Sequence, residues 1–209
     1  MQITVFGASG KVGGRVVELA LERGYTVIAF VHSHDPFVGT PNLIVKKGNI
    51  YRGEDIEDAI KGSEAVVSCL GSWGTKKRNV LTSAMKNIIP TMQNQKIARI
   101  VTLTGSGANA PDHKAGVIYK LMMKLLAPFP AGKVFSDGEQ HMRLLAETDL
   151  QWTTLRSPVM NNFGKKDYRL SLKAGLPLAT INREAVATAM LDELEKADFA
   201  QQAPIIHRS

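Results

Sequence analysis

MQITVFGASGKVGGRVVELAL, residues 1–21, is the stretch whose reading decides the fold. Ile3, Val5 and Phe6 form a short apolar run suited to a buried strand. Residues 7–13 interrupt it, and Val12, Val16, Leu19 and Ala20 then recur at helical spacing. Strand, glycine turn and helix in that order open a dinucleotide-binding βαβ unit. Gly7 is expected to permit the tight turn, Gly10 to let a pyrophosphate approach the backbone, and Gly13 to let the helix sit close to the sheet. The free N–H groups and positive dipole end of the helix then face the phosphates. The spacing is G-x-x-G-x-x-G rather than G-x-G-x-x-G, and an ordinary βα turn can also carry such glycines. The strand before it and the helix after it favour the nucleotide reading.

Outward from this unit, the chain alternates strands and helices. Expected strands are Thr26 to Val31, Leu43 to Lys46, Ala65 to Leu70, Arg99 to Thr104, Gln151 to Leu155 and Pro204 to His207. Helices are expected at about Glu54 to Lys61, Asn79 to Gln95 with a kink at Pro90, around Ile118 to Leu125, Val134 to Glu147, and Arg183 to Lys196 with Asn182 as N-cap. Pro128-Phe129-Pro130 is read as a stop, and residues 159–180 as irregular. The pattern predicts an α/β fold, a doubly wound parallel sheet of the Rossmann type. It predicts a single domain over residues 1–209, with a small C-terminal substrate-side segment at about 156–182.

Composition is that of an ordinary globular chain: 209 residues, 44% hydrophobic and 22% charged. No apolar run reaches transmembrane length, so no membrane partner is expected, and no signal peptide is read at the N-terminus. Cys69 is the sole cysteine, which fits a reducing, cytoplasmic setting. The five histidines lack metal-ligand spacing, so no metal is expected. The net charge of +7 raises nucleic acid as a partner. The basic residues are dispersed and not interleaved with aromatics, so a solvated basic surface, or attraction of an anionic cofactor, is the preferred reading.

The end of the second strand bears on cofactor choice. NAD-selective sites place a carboxylate there for the ribose, and NADP sites a basic or polar residue for the 2′-phosphate. Here His32, Ser33 and His34 precede Asp35, with Lys11 and Arg15 nearby in sequence, which favours NADP(H). Gly48-Asn49-Ile50, Gly71-Ser72-Trp73-Gly74 and Gly105-Ser106-Gly107-Ala108 follow other strands at the edge where ligands bind. Asn49 could bond an adenine edge. Trp73 could wall a site or cover the sheet edge.

These residues resemble the atypical short-chain dehydrogenase/reductases, the NmrA-like and NAD(P)H-binding proteins that include flavin reductase/biliverdin-IXβ reductase. The likeness rests on Gly7-x-x-Gly10-x-x-Gly13, Gly48-Asn49-Ile50, Cys69-Leu70-Gly71, residues 150–158 (LQWTTLRSP) and residues 182–187 (NREAVA). It implies a cofactor site lined by Gly7, Ser9, Gly10, Lys11, Val12, Gly13, His32, Asn49, Ile50, Leu70, Gly71 and Thr104 to Ser106. The Tyr-x-x-x-Lys of typical members is missing: Met123 follows Tyr119 by four residues, and Lys124 comes one late, about 100° further round a helix. Candidate catalytic groups are therefore Ser106, to orient a carbonyl; His141, to supply a proton unless it is a helix-surface histidine; and Tyr119. The expected function is hydride transfer from NADPH to a flavin, quinone or similar planar acceptor, by a monomer or homodimer. The alternative is an NmrA-like redox sensor that binds NADP(H), does no chemistry and reports to a regulatory protein. An epimerase acting on a sugar nucleotide fits less well without the dyad.

Overall fold

The structure, a computed structural model, describes the chain apart from residues 38–39, 74, 113–115 and 174–178 and the side chains of residues 118–120 and 122. In chain order the elements are β1 (Gln2–Phe6), α1 (Gly13–Glu22), β2 (Thr26–Val31), β3 (Leu43–Lys47), α2 (Gly53–Ile60), β4 (Ala65–Ser68), α3 (Val80–Asn94) and β5 (Arg99–Gly105). They continue with α4 (Val117–Leu126), α5 (Pro130–Ala146), β6 (Gln151–Ser157), β7 (Val159–Asn161), β8 (Tyr168–Ser171), β9 (Thr180–Asn182), α6 (Arg183–Lys196) and β10 (Ile205–Arg208).

Strands buried on both faces read as near-continuous apolar runs, and these do. Ile3 and Val5 of β1 point to one face with Val27, Ala29, Val67 and Leu155, where α1 and α6 pack on them. Phe6 points to the other with Phe30, Val66 and Ile100, beneath α2, α3 and α5. Each fully buried Val, Ile or Phe in these layers is worth about 1.5–3 kcal/mol relative to exposure. The main sheet has the order β3-β2-β1-β4-β5-β6-β10-β8. All its pairs are parallel except β10 with β8, so a doubly wound parallel sheet carries one antiparallel edge strand.

Two local readings change. Residues 159–180 are not wholly irregular: β7 pairs with β9, and β8 pairs with β10. Their partners are remote in sequence, Val159 against Thr180 and Tyr168 against Arg208, so no local pattern announces them. Pro130 does not merely stop a helix; it opens α5 in the first turn, where its missing N–H costs nothing. α3 runs unbroken through Pro90. Pro90 and Lys86 both lie on its exposed face, where the carbonyl freed by the proline can be hydrated. Asn182 does cap α6, its side chain accepting from the Glu184 N–H at 2.8 Å.

Candidate functional site

The parallel order brings the carboxyl ends of β3, β2, β1, β4, β5 and β6 side by side, and the loops leaving them form one edge. At its centre is the turn after β1. Gly7 has φ +74°, which L side chains rarely adopt, and a Cβ there would also sit 3.0–3.1 Å from the Cys69 and Leu70 backbone. The Gly10 N–H bonds back to the Gly7 carbonyl at 2.9 Å, and the Gly14 N–H to the Gly10 carbonyl at 2.8 Å. Among the described residues, the N–H groups of Lys11 and Val12 meet no acceptor. Ser9, Gly10 and Lys11 are exposed at this turn. Gly13 lets α1 approach one particular neighbour: a Cβ on it would lie 2.0 Å from the Gly7 carbonyl oxygen. These features fit a dinucleotide, because they leave unspent donors and open backbone where a pyrophosphate would lie.

Around this turn, the Cys69–Leu70 backbone adjoins Gly7, Gly71 follows it at the surface, and His32, Ser33 and His34 are exposed past the end of β2. Asp35 accepts the Phe37 N–H at 2.9 Å, a turn of its own. Arg15 is not available to a 2′-phosphate as the sequence suggested: it is paired with Glu184 at 2.7 Å and with Glu18. Asn49 is held in place, its N–H donating to Asp55 at 2.7 Å and its side-chain oxygen accepting from the Tyr51 N–H at 3.0 Å. The carbonyl of Ile50 accepts from Asn87 at 2.8 Å. Ser106 sits at the end of β5, tied through its N–H to the Ser157 carbonyl at 2.7 Å. Thr104 is turned away from the edge: its side chain lies under α5 against Gly138, where a Cβ would come within 2.4 Å of Thr104 Oγ1.

His141 is not a helix-surface residue. It is fully buried, with Nε2 3.2 Å from Thr102 Oγ1, and Thr102 Oγ1 in turn lies 2.7 Å from Thr154 Oγ1. Burial lowers its pKa to about 4, opposed only in part by the nearby Asp137 carboxylate and by helix carbonyls. It is thus neutral near pH 7 and lies beneath α5 rather than at the edge. The consequence is measurable. The native state resists protonation that the unfolded chain accepts below about pH 6.5, so His141 withdraws stability as pH falls from about 6.5 towards 4. The loss should approach ~3 kcal/mol in urea unfolding. His141→Gln, which does not titrate, should flatten that part of the profile; a profile parallel to the wild type would contradict this account. Tyr119 lies on α4, but its side chain is outside the described residues.

The loop after β4 is fixed by a residue that sequence reading passed over. Asp137 of α5 is buried and accepts from Ser72 Oγ, from the Leu81 N–H at 3.0 Å and from the Thr82 N–H at 2.9 Å; the Val80 N–H goes to Ser72 Oγ at 3.1 Å. One carboxylate from a neighbouring helix and one loop serine thus satisfy the first donors of α3, while Asn79 makes no capping bond. No local pattern marks Asp137, because the donors it serves lie 55 and 56 residues away. Trp73 is 59% exposed and meets Phe135 edge-on at 6.4 Å. Burial pushes the Cys69 thiol up to about 12, which leaves it without nucleophilic character.

Comparison with known proteins places this geometry. A family model described as NAD(P)H-binding matches residues 7–197. The chain is 26% identical to the uncharacterized protein YwnB of Bacillus subtilis, over 97% of this chain and 96% of that protein. It is 28% identical to a 3-beta-hydroxysteroid dehydrogenase of Mycolicibacterium neoaurum over 48% of this chain, a match that spans only 31% of the dehydrogenase. Among solved structures, a short-chain dehydrogenase/reductase of Veillonella parvula in complex with NADP superposes with TM-score 0.76 at 20% identity, covering 99% of this chain and 94% of that one. ChuY of Escherichia coli O157:H7, an anaerobilin reductase, superposes with TM-score 0.76 at 17% identity, covering 99% and 96%.

Proposed function

Because the chain belongs to the NAD(P)H-binding family, we propose that it is a reductase that binds NADPH along the carboxyl edge of the sheet and delivers hydride to a flavin, quinone or similar planar acceptor. The nicotinamide supplies the hydride when bound. Everything else is positioning by this chain. The turn at Gly7 to Gly13 receives the pyrophosphate. Lys11, His32 and Ser33 meet the 2′-phosphate. Asn49 and Ile50 flank the adenine, and Leu70, Gly71 and the loop at Ser106 hold the nicotinamide end. The observation that carries the reading is an edge with a cofactor cradle and, among the described residues, no assembled proton donor: Met123 stands where a tyrosine-activating lysine would be, and His141 is buried and neutral. Flavins and quinones take hydride and draw their proton from water; a carbonyl needs a donor as the alkoxide forms. The NADP held by the Veillonella neighbour and the reductase activity named for ChuY accord with this reading.

NADPH oxidation should therefore proceed with flavins and quinones and poorly with simple carbonyl compounds. Tyr119→Phe should barely change turnover, with Ser106→Ala measured beside it as the other candidate hydroxyl. A loss of a hundredfold or more in kcat for Tyr119→Phe, about 2.7 kcal/mol of barrier, would show that a donor is required. The same lack of a donor favours a second reading, a redox sensor that binds NADP(H) and reports to a protein partner. Tight NADPH binding with no turnover on any acceptor would decide for the sensor. Either way, calorimetry should show NADPH binding tighter than NADH and weakening with salt, since no carboxylate directly follows β2. Equal affinities would refute the placement of Lys11, His32 and Ser33 around the phosphate.

A further inference from the structure

α4 presents two faces. Met123, half-buried, and Ala127 just past the helix end line a cavity of about 440 Å³ with Arg78, Lys133, Asp137 and Gln140. On the outward face Val117, Leu121 and Leu125 recur every four residues and are 82%, 59% and 66% exposed; Phe129, 58% exposed, continues the ridge past the helix end. A ridge of large apolar side chains left in water marks an interaction surface.

The charge around it says of what kind. Between Ala65 and Asp137 the sequence has ten Lys and Arg against one carboxylate, Asp112, while the rest of the chain carries more carboxylates than Lys and Arg. That stretch supplies the net positive charge in sequence, although Arg99 within it is buried and paired with Glu193 at the amino end of β5. Lys124 lies beside the ridge on α4 itself and is exposed, as are Lys133 across the cavity and Lys76 in the loop after β4. Below Lys76 that loop is anchored to the body, Lys77 Nζ lying 3.9 Å over the Tyr51 ring and Arg78 donating to the Ser72 carbonyl at 3.1 Å.

We propose that α4 and Phe129 dock on an anionic lipid surface, the helix lying in the interface with its ridge at the acyl boundary and Lys124 among the headgroups. Such a surface is both apolar and negative, and so satisfies both observations. A second copy meeting this face about a two-fold axis would bring two faces of the same positive sign together. A nucleic-acid backbone offers phosphates but nothing to cover Leu121 and Leu125. No described helix is long and apolar enough to cross a membrane. The expectation of no membrane partner rested on span length, which does not bear on a helix lying in the surface. The inference is independent of the acceptor.

The test is flotation of the whole protein with vesicles. It should float with phosphatidylcholine vesicles containing about 30% phosphatidylglycerol and not with phosphatidylcholine alone. Partitioning should fall at least about tenfold in high salt. The variant Leu121→Glu/Leu125→Glu should lose at least about tenfold in partitioning while binding NADPH as the wild type does, which shows that it is folded. Failure to float with anionic vesicles at low salt overturns the proposal, as does unchanged flotation of the double glutamate variant. A dimer in sedimentation velocity that the same variant dissolves assigns the ridge to a second copy and also overturns it.

Discussion

Gly13→Ala is expected to abolish measurable NADPH binding and to lower the melting temperature. The added Cβ would lie 2.0 Å from the Gly7 carbonyl oxygen, 2.7 Å from its carbon and 2.9 Å from the Ala8 Cα. All three are backbone atoms of the turn, so none can swing aside as a side chain would. α1 must move outward or the turn must deform, and both carry the cofactor's donors. Forcing extra volume into such a contact costs about 1–3 kcal/mol or more, roughly 5–10 °C in a chain of this size. Gly14→Ala is the control. Its Cβ finds the Ala8 carbonyl at 3.7 Å, an ordinary contact, and helix propensity favours the alanine by up to about 1 kcal/mol. Gly10→Val falls between them, since a Cβ there meets only the Gly7 carbonyl at 3.1 Å; its fold should survive while the pyrophosphate is excluded. Thermal melts and calorimetry with NADPH on the three variants check the series. A Gly13→Ala protein with unaltered melting temperature and affinity would contradict the geometry of the turn.

Glu193→Ala is expected to destabilise the fold by about 3–5 kcal/mol without touching the cofactor edge. Glu193 and Arg99 are both buried, and lie where α6 crosses the amino ends of β5 and β6. Glu193 Oε1 accepts from Arg99 Nη2 at 3.3 Å, from Thr153 Oγ1 at 3.1 Å and from the Phe199 N–H at 2.9 Å. Arg99 also donates to the Gln151 carbonyl at 2.7 Å and to the Glu193 carbonyl. Burial lowers the pKa of Arg99 and Glu193 opposes the shift, so the guanidinium tolerates its site only with its partner present. Removing the carboxylate leaves a buried cation and a buried N–H unsatisfied. Replacing both residues with apolar ones of similar size, Arg99→Met with Glu193→Leu, should recover most of the loss, because the pair's desolvation cost disappears with it. Urea unfolding of the two single variants and the double variant measures this. Additive losses would show that the two residues are not coupled.

The contrast between α6 and α5 shows what could be read in advance and what could not. α6 begins and ends where the sequence predicts, Arg183 to Lys196, because its start signal is local: Asn182 caps a donor two residues on. α5 carries Asp137 and His141 on what a helical reading takes for a polar face, yet both are buried. Asp137 is satisfied there by α3 and the loop after β4, His141 by a threonine of β5. In both cases the partner that makes burial tolerable lies far away in the chain, so the residue's own neighbourhood gives no sign of it. Arg15 is the converse. In sequence it stood beside the glycine turn as a cation for a phosphate, and Glu184, 169 residues away, takes it.

The sequence by itself determined the parallel strands of the main sheet, their alternation with helices and the glycine turn, since each depends on periodicity or backbone freedom within a few residues. From these followed the family's cofactor class. Tertiary structure alone decided where the strands of residues 159–171 pair, which helix caps α3, that His141 is neutral and remote from the edge, and that Val117, Leu121 and Leu125 face outward. The reason is the same each time. Hydrogen-bond partners, burial and exposure are properties of the assembled layers, and a side chain acquires them only from residues that the chain brings to it on folding.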